Sequence, residues 1–192
     1  MSDAQDRIRK PRADSLRNRE QLLATAKSAF TEAGVEVALE EIARRAGVGI
    51  GTLYRHFPTR GALLAAVYSR EVEQLAQAAD RLLAEKQPSE ALELWFEEVI
   101  AYMATKRVVG PALRADPVEG AKVFAAGGPS VHQSFSRLLR AAAEAGEIRA
   151  DLDATDVQRL LTGFAHGYDQ PGWEAGARRM VSIMLAGLRV SR

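Results

Sequence analysis

The sequence predicts an all-α fold, with an N-terminal three-helix domain over residues 1–60 and a C-terminal helical domain over 61–192. Three observations predict it. Apolar residues recur at intervals of three and four along most of the chain, the period of a helix with one buried face. No Val/Ile/Thr-rich stretch alternates apolar with polar residues, and no Asn-Gly pair marks a hairpin. At 192 residues and 47% hydrophobic, the chain is long enough to bury a core and too apolar to stay disordered.

The first helix is expected to open near Asp14 or Ser15, either of which caps free N–H groups, and to bury Leu22, Leu23, Ala26 and Phe30. Gly34 suits the left-handed position that closes it. A short second helix follows on Leu39, Ile42, Ala43 and Ala46, closed by Gly47-Val48-Gly49. A third carries Leu53 and Phe57 on one side; Pro58 stops it and Thr59 caps the next. The fourth is long, from Leu63 through Val67, Val72, Leu75 and Leu82 to Glu85, and Lys86-Gln87-Pro88-Ser89 breaks the chain there. In the fifth, Leu92, Trp95, Phe96, Val99, Ile100 and Met103 make a face wide enough to be buried on most sides. Gly110-Pro111, Pro117, Gly120 and Gly127-Gly128-Pro129 predict an irregular stretch over 108–129, with short helices around Leu113 and Val123-Phe124. Three regular helices close the chain. They are marked by Val131 to Ala142 before Gly146, by Val157 to Tyr168 before Pro171-Gly172, and by Trp173 to Leu188.

Whole classes of function drop out. No run of about 18 apolar residues exists to span a bilayer, so no membrane partner is expected. The polar start Met1-Ser2-Asp3-Ala4-Gln5-Asp6-Arg7 lacks a secretory signal, and zero cysteines fit a reducing cytoplasm. There is no nucleophile elbow, phosphate loop or His-Glu-x-x-His pair, so no enzyme, cofactor or metal site is expected. Asp151, Asp153 and Asp156 read as a loop and capping cluster rather than a calcium loop.

The charge is uneven. Residues 1–60 hold 11 Lys and Arg against 8 acids, while 61–192 hold 15 against 17. From Arg7 to Arg19 six basic residues face one acid, Asp14, a basic arm of the kind that meets nucleic acid.

The informative stretch runs from Glu40 to Phe57. Two short helices joined by a glycine turn make a helix-turn-helix, whose second helix can lie in a DNA major groove. Ala43 is small where the helices approach, and Gly47 can take the positive φ of the turn. Leu53 and Phe57 hold the second helix to the core, leaving Thr52, Tyr54, Arg55 and His56 to face phosphates and base edges. Gly47-x-Gly49-x-Gly51 is no dinucleotide fingerprint, because a helix and not a strand precedes it.

The run Arg44 to Arg60, preceded by Ala24 to Phe30 and Gly34, resembles the DNA-binding domain of the tetracycline-repressor-type (TetR) regulators, over residues 15–70. The resemblance implies a homodimer of all-helical subunits on an inverted-repeat double-stranded DNA operator. It also implies a C-terminal domain that takes up a small molecule and releases the DNA, with repression the commoner mode. Thr52, Tyr54 and His56 match family positions that touch phosphates or bases, Arg55 a variable base-reading position, and Arg60 a usual phosphate-contacting lysine. Ala38-Leu39, Gly49 and Ile50 depart from the family's Ser, Thr or polar residues, which leaves Ile50 suited to a thymine methyl. A ligand-independent DNA-organising protein with the same helix-turn-helix is the alternative.

The C-terminal domain has more wide apolar faces than one bundle buries without a cavity or a dimer interface. A homodimer through 130–146 and 155–190 is expected, with a pocket for a small hydrophobic effector. Its lining is assigned to Trp95, Phe96, Val99, Tyr102, Met103, Phe124 and Phe164, with His166 and Tyr168 joining Tyr102 as polar handles.

Overall fold

A computed structural model describes residues 3–164 and 172–190, with side chains over 14–157, 159–160 and 172–190. Among the described residues there are eight helices: α1 (Asp3–Ala33), α2 (Leu39–Arg45), α3 (Ile50–His56), α4 (Arg60–Glu85), α5 (Pro88–Ala115), α6 (Glu119–Glu144), α7 (Ala154–Phe164) and α8 (Trp173–Leu188). The fold is all-α. Its one extended pairing among those residues is an antiparallel bridge, Ile148 to Arg189, which fastens the α6–α7 link to the end of α8.

By packing the chain forms two compact units, one of residues 1–70 and 108–123, the other of 71–107 and 124–192. In the first, α2 packs on both α1 and α3. Leu22, Phe30, Ile42, Leu53, Leu63 and Leu113 are fully buried there, each worth about 1.5–3 kcal/mol of removal from water. In the second, Trp95 stacks on Phe135 with ring centroids 5.7 Å apart, and Phe96 closes the cluster 5.7 Å from Trp95 and 5.9 Å from Phe135. The Trp95 indole N–H donates to the Leu75 carbonyl at 3.0 Å, tying α5 to α4.

Two sequence expectations are corrected. The first helix begins at Asp3 rather than near Asp14, and it runs through Pro11. The irregular stretch expected over 108–129 is instead the end of α5 and the first half of α6, both of which run through a proline, Pro111 and Pro129. Each proline costs about 3 kcal/mol in a helix interior and each glycine about 1. Val109 and Leu113, on either side of Pro111, are fully buried and return a comparable amount. Burial outweighs local propensity there, and the segment is helical on both sides of a short turn at 116–118.

Candidate functional site

The helix-turn-helix is built from backbone chemistry. Gly47 has φ 67°. Its N–H donates to Arg44 O at 3.1 Å while the Val48 N–H reaches Ala43 O at 3.0 Å, the paired bonds of a Schellman ending that turns the chain from α2 into α3. Ala43 is buried where the helices approach. Glu41 accepts from Arg44 at 2.7 and 2.8 Å and from Arg45 at 2.8 Å, and Arg45 also donates to Glu32 of α1 at 2.8 Å. The two guanidinium groups hold the Glu41 carboxyl down to about 2.

Leu53 and Phe57 are buried beneath α3. Above them Tyr54 is 46% exposed, and Arg55 is exposed beside it. Ile50, Thr52 and His56 are half-buried. The outward set of α3 therefore carries a phenol, a guanidinium, a hydroxyl and an imidazole, with one aliphatic side chain at its start. The Arg19 guanidinium lies 4.9 Å over the Phe57 ring, so α1 meets the C-terminal end of α3. The N-caps of α2 and α3, Ala38 and Gly49, make no side-chain capping bond.

Arg60 makes contacts within the domain that sequence alone did not show. One of its Nη atoms donates to the carbonyls of both Val35 and Val37, the latter at 2.7 Å, which clamps the α1–α2 loop to the start of α4. Thr59 caps that helix through the Ala62 N–H at 3.0 Å. Asp116 was also missed. Its Oδ1 accepts from the Val118 and Glu119 N–H groups at 3.0 Å each, capping α6 with Pro117 behind it. A Cβ on Gly61 would lie 2.6 Å from Asp116 Oδ2, so the glycine lets this carboxylate sit over the first turn of α4. The Asp-Pro pair was the available signal for the cap.

The described residues among those assigned to an effector pocket fall in the second unit. Trp95 and Phe96 are fully enclosed in the aromatic cluster, Val99 and Tyr102 are buried, and Met103 and Phe124 are half-buried. The Phe164 side chain, His166 and Tyr168 lie outside the described residues. A buried polar pair shares the interior: Thr105 Oγ1 donates to the Glu71 carboxylate at 3.3 Å. On α7 and α8 an apolar groove of about 410 Å³ is lined by Leu160, Met180, Ile183, Met184, Gly187 and Leu188. Ile183 is 74% exposed and Leu160 54%.

The family of bacterial regulatory proteins called tetR matches residues 22–67, and the C-terminal domain family described as transcriptional regulator SbtR-like matches residues 87–190. SCO0520, a TetR transcriptional regulator of Streptomyces coelicolor, is 41% identical over 91% of this chain and 99% of that one, with a TM-score of 0.82. The chain belongs to the TetR family. A TetR transcription regulatory protein of Mycobacterium vanbaalenii is 35% identical over 93% of this chain and 99% of that one, with a TM-score of 0.75. The HTH-type transcriptional regulator SAR0097 of Staphylococcus aureus is 35% identical over 80 residues, which are 40% of this chain. That match spans about two-fifths, 41%, of SAR0097's length. This TetR-family protein is therefore a transcriptional regulator with a helix-turn-helix DNA-binding domain. Among its described residues no helix is long and apolar enough to cross a membrane.

Proposed function

We propose that this regulator is a cytoplasmic, ligand-responsive repressor that binds an inverted-repeat operator as a homodimer and is released by a small hydrophobic effector. The observation that carries the reading is the division of α3, with Leu53 and Phe57 buried below and Tyr54 and Arg55 exposed above. Thr52, Tyr54 and His56 serve as phosphate anchors, while Arg55 and Ile50 face base edges. Arg60 holds the loop with one Nη and has further N–H donors for a phosphate.

The groove of Leu160, Met180 and Ile183 supports dimerisation through α7 and α8, since an apolar face so open to water calls for a covering. Dimerisation would set two copies of α3 one DNA turn apart, about 34–36 Å. For the effector, the mixed exposure of Val99, Tyr102, Met103 and Phe124 supports a mostly apolar lining, with Trp95 and Phe96 as its rigid backing. An effector acts only through unequal affinity for the DNA-bound and released states.

The test is release. An operator duplex bound by the purified protein is titrated with apolar compounds while the fluorescence of its two tryptophans, Trp95 and Trp173, and duplex anisotropy are followed together. The reading expects at least one compound to change both signals. Stable operator binding that no apolar compound weakens would favour a ligand-independent DNA organiser.

A further inference from the structure

Among the described residues three polar side chains are buried, Glu71, Thr105 and Ser134, and Glu71 is the one acid among them, 5% exposed. All three fall in the second unit. Ser134 is accounted for by backbone: its hydroxyl lies 3.0 Å from the Ser130 carbonyl and 3.1 Å from that of Ala76. Glu71 is different. It sits in the run Ser69-Arg70-Glu71-Val72-Glu73, where nothing in the pattern marks an acid for burial, and Glu73 two positions on is exposed. Thr105 Oγ1 donates to its carboxylate from α5 at 3.3 Å. Taking a carboxylate out of water is costly, and exchanging buried charged groups for apolar ones of similar volume is often neutral or stabilising. Folding alone therefore does not call for an acid at this position.

Its surroundings give the acid a use. One turn beyond Glu71 on α4, the Leu75 carbonyl accepts the Trp95 indole N–H. On α5, Thr105 follows Tyr102 by three positions, on the same side of the helix, and Val99, Tyr102 and Met103 belong to the apolar lining proposed above. The Glu71–Thr105 pair thus sets one carboxylate within a helical turn of that lining. A mostly apolar pocket owes its selectivity to its few polar groups, and an ionised carboxylate accepts hydrogen bonds but donates none. The Lys106 ammonium lies 5.7 Å over the Tyr102 ring, so an aromatic face in this region already carries a cation. We infer that Glu71, steadied by Thr105, is the polar handle of the effector site, and that the effector is an amphipathic cation, an apolar body carrying a protonated amine. The inference rests on the effector site proposed above. The ammonium group would donate to the Glu71 carboxylate in a charge-assisted hydrogen bond while its apolar body lies along Tyr102 and Val99.

The experiment uses octylamine, octanol and octanoate, which share one alkyl chain and at neutral pH carry a cationic, a neutral and an anionic head. Each is titrated, below the concentration at which it self-associates, into the full-length protein and into Glu71→Gln. Dissociation constants come from calorimetry and from the fluorescence of Trp95 and Trp173. A hydrogen bond to a charged group is worth about 10–100-fold in affinity. The unaltered protein should hold octylamine more tightly than octanol by about that factor, with octanoate the weakest of the three. Glu71→Gln keeps the size of the side chain and removes its charge, so it should bring octylamine level with octanol and leave octanol unchanged. An acid with a merely structural role would instead lower all three affinities alike or preserve their order. Circular dichroism checks that the variant is folded, and the order of affinities in the unaltered protein is a test that needs no variant. Octanol or octanoate bound by the unaltered protein as tightly as octylamine, or a preference for octylamine that survives Glu71→Gln, would overturn the handle while leaving the effector site standing. Binding of none of the three would overturn both.

Discussion

Replacing Gly120 by alanine sets two physical effects against each other, and the structure decides the sign. Gly120 lies in the first turn of α6, where helix propensity alone favours alanine by about 1 kcal/mol. The space around it says otherwise. Gly120 is buried, and a Cβ built on it would lie 2.9 Å from the Leu113 carbonyl carbon and closer still to its oxygen. The obstacle is the backbone of α5, which cannot swing aside like a flexible side chain. Moving α6 away would disturb the turn that Asp116 caps and the seat of the fully buried Leu113. Overpacking of this kind costs about 1–3 kcal/mol, and backbone displacement places it at the upper end. The net expectation is a loss of about 1–2 kcal/mol, or a fall in melting temperature of about 2–8 °C for a chain of this size. Gly128→Ala is the internal control, because it lies in the same helix with nothing within 4 Å of its Cβ position. It should hold or raise the melting temperature by the propensity term. Thermal unfolding by circular dichroism reads both variants. A Gly120→Ala protein as stable as Gly128→Ala would refute the reasoning.

Other outcomes follow from the same structure. Arg55→Ala should lower affinity by roughly 1–3 kcal/mol at one operator position and flatten base preference there, while Tyr54→Phe should weaken all sequences alike; an operator-library titration separates the two. Arg60→Ala removes the donor shared by Val35 and Val37 and should lower the urea midpoint, and Arg60→Lys should restore little of it because an ammonium does not reproduce the guanidinium geometry. Glu41, with its carboxyl held at about 2, contributes stability that is fully present above its ordinary value of 4.5 and lost as pH falls through about 2. Urea midpoints of the unaltered protein and Glu41→Gln should therefore differ at pH 6 and converge towards pH 2. Ile183→Glu places a charge on the exposed groove of α7 and α8 and should shift sedimentation to a monomer without lowering helix content.

The legible parts of the fold were those decided by local backbone chemistry. Gly34, Gly47 and Gly146 all take positive φ where helices were expected to end, and Thr59 caps the helix it precedes. The inward and outward halves of α3 followed from four-residue spacing, since Leu53 and Phe57 bury one side. Pro111 and Pro129 misled because a residue's propensity says nothing of what its helix buries, and Val109 and Leu113 carry that segment. The bonds from Arg60 to the Val35 and Val37 carbonyls are not legible in the sequence, because those partners lie more than twenty residues away. The pocket residues were the least legible. An aromatic pair such as Trp95 and Phe96 has the same sequence signature whether it lines a cavity or fills one, and its stacking with Phe135 is a tertiary fact. The groove at Ile183 is likewise visible only once α7 and α8 lie side by side.

The most direct test of the central claim is a selection of bound duplexes from a random pool, run in parallel with the unaltered protein and with Arg55→Ala. The account predicts one inverted repeat with half-site centres about one DNA turn apart, and a repeat degraded at a single symmetric pair of positions in the variant. A pool without a repeat, or the same repeat from both proteins, would contradict it.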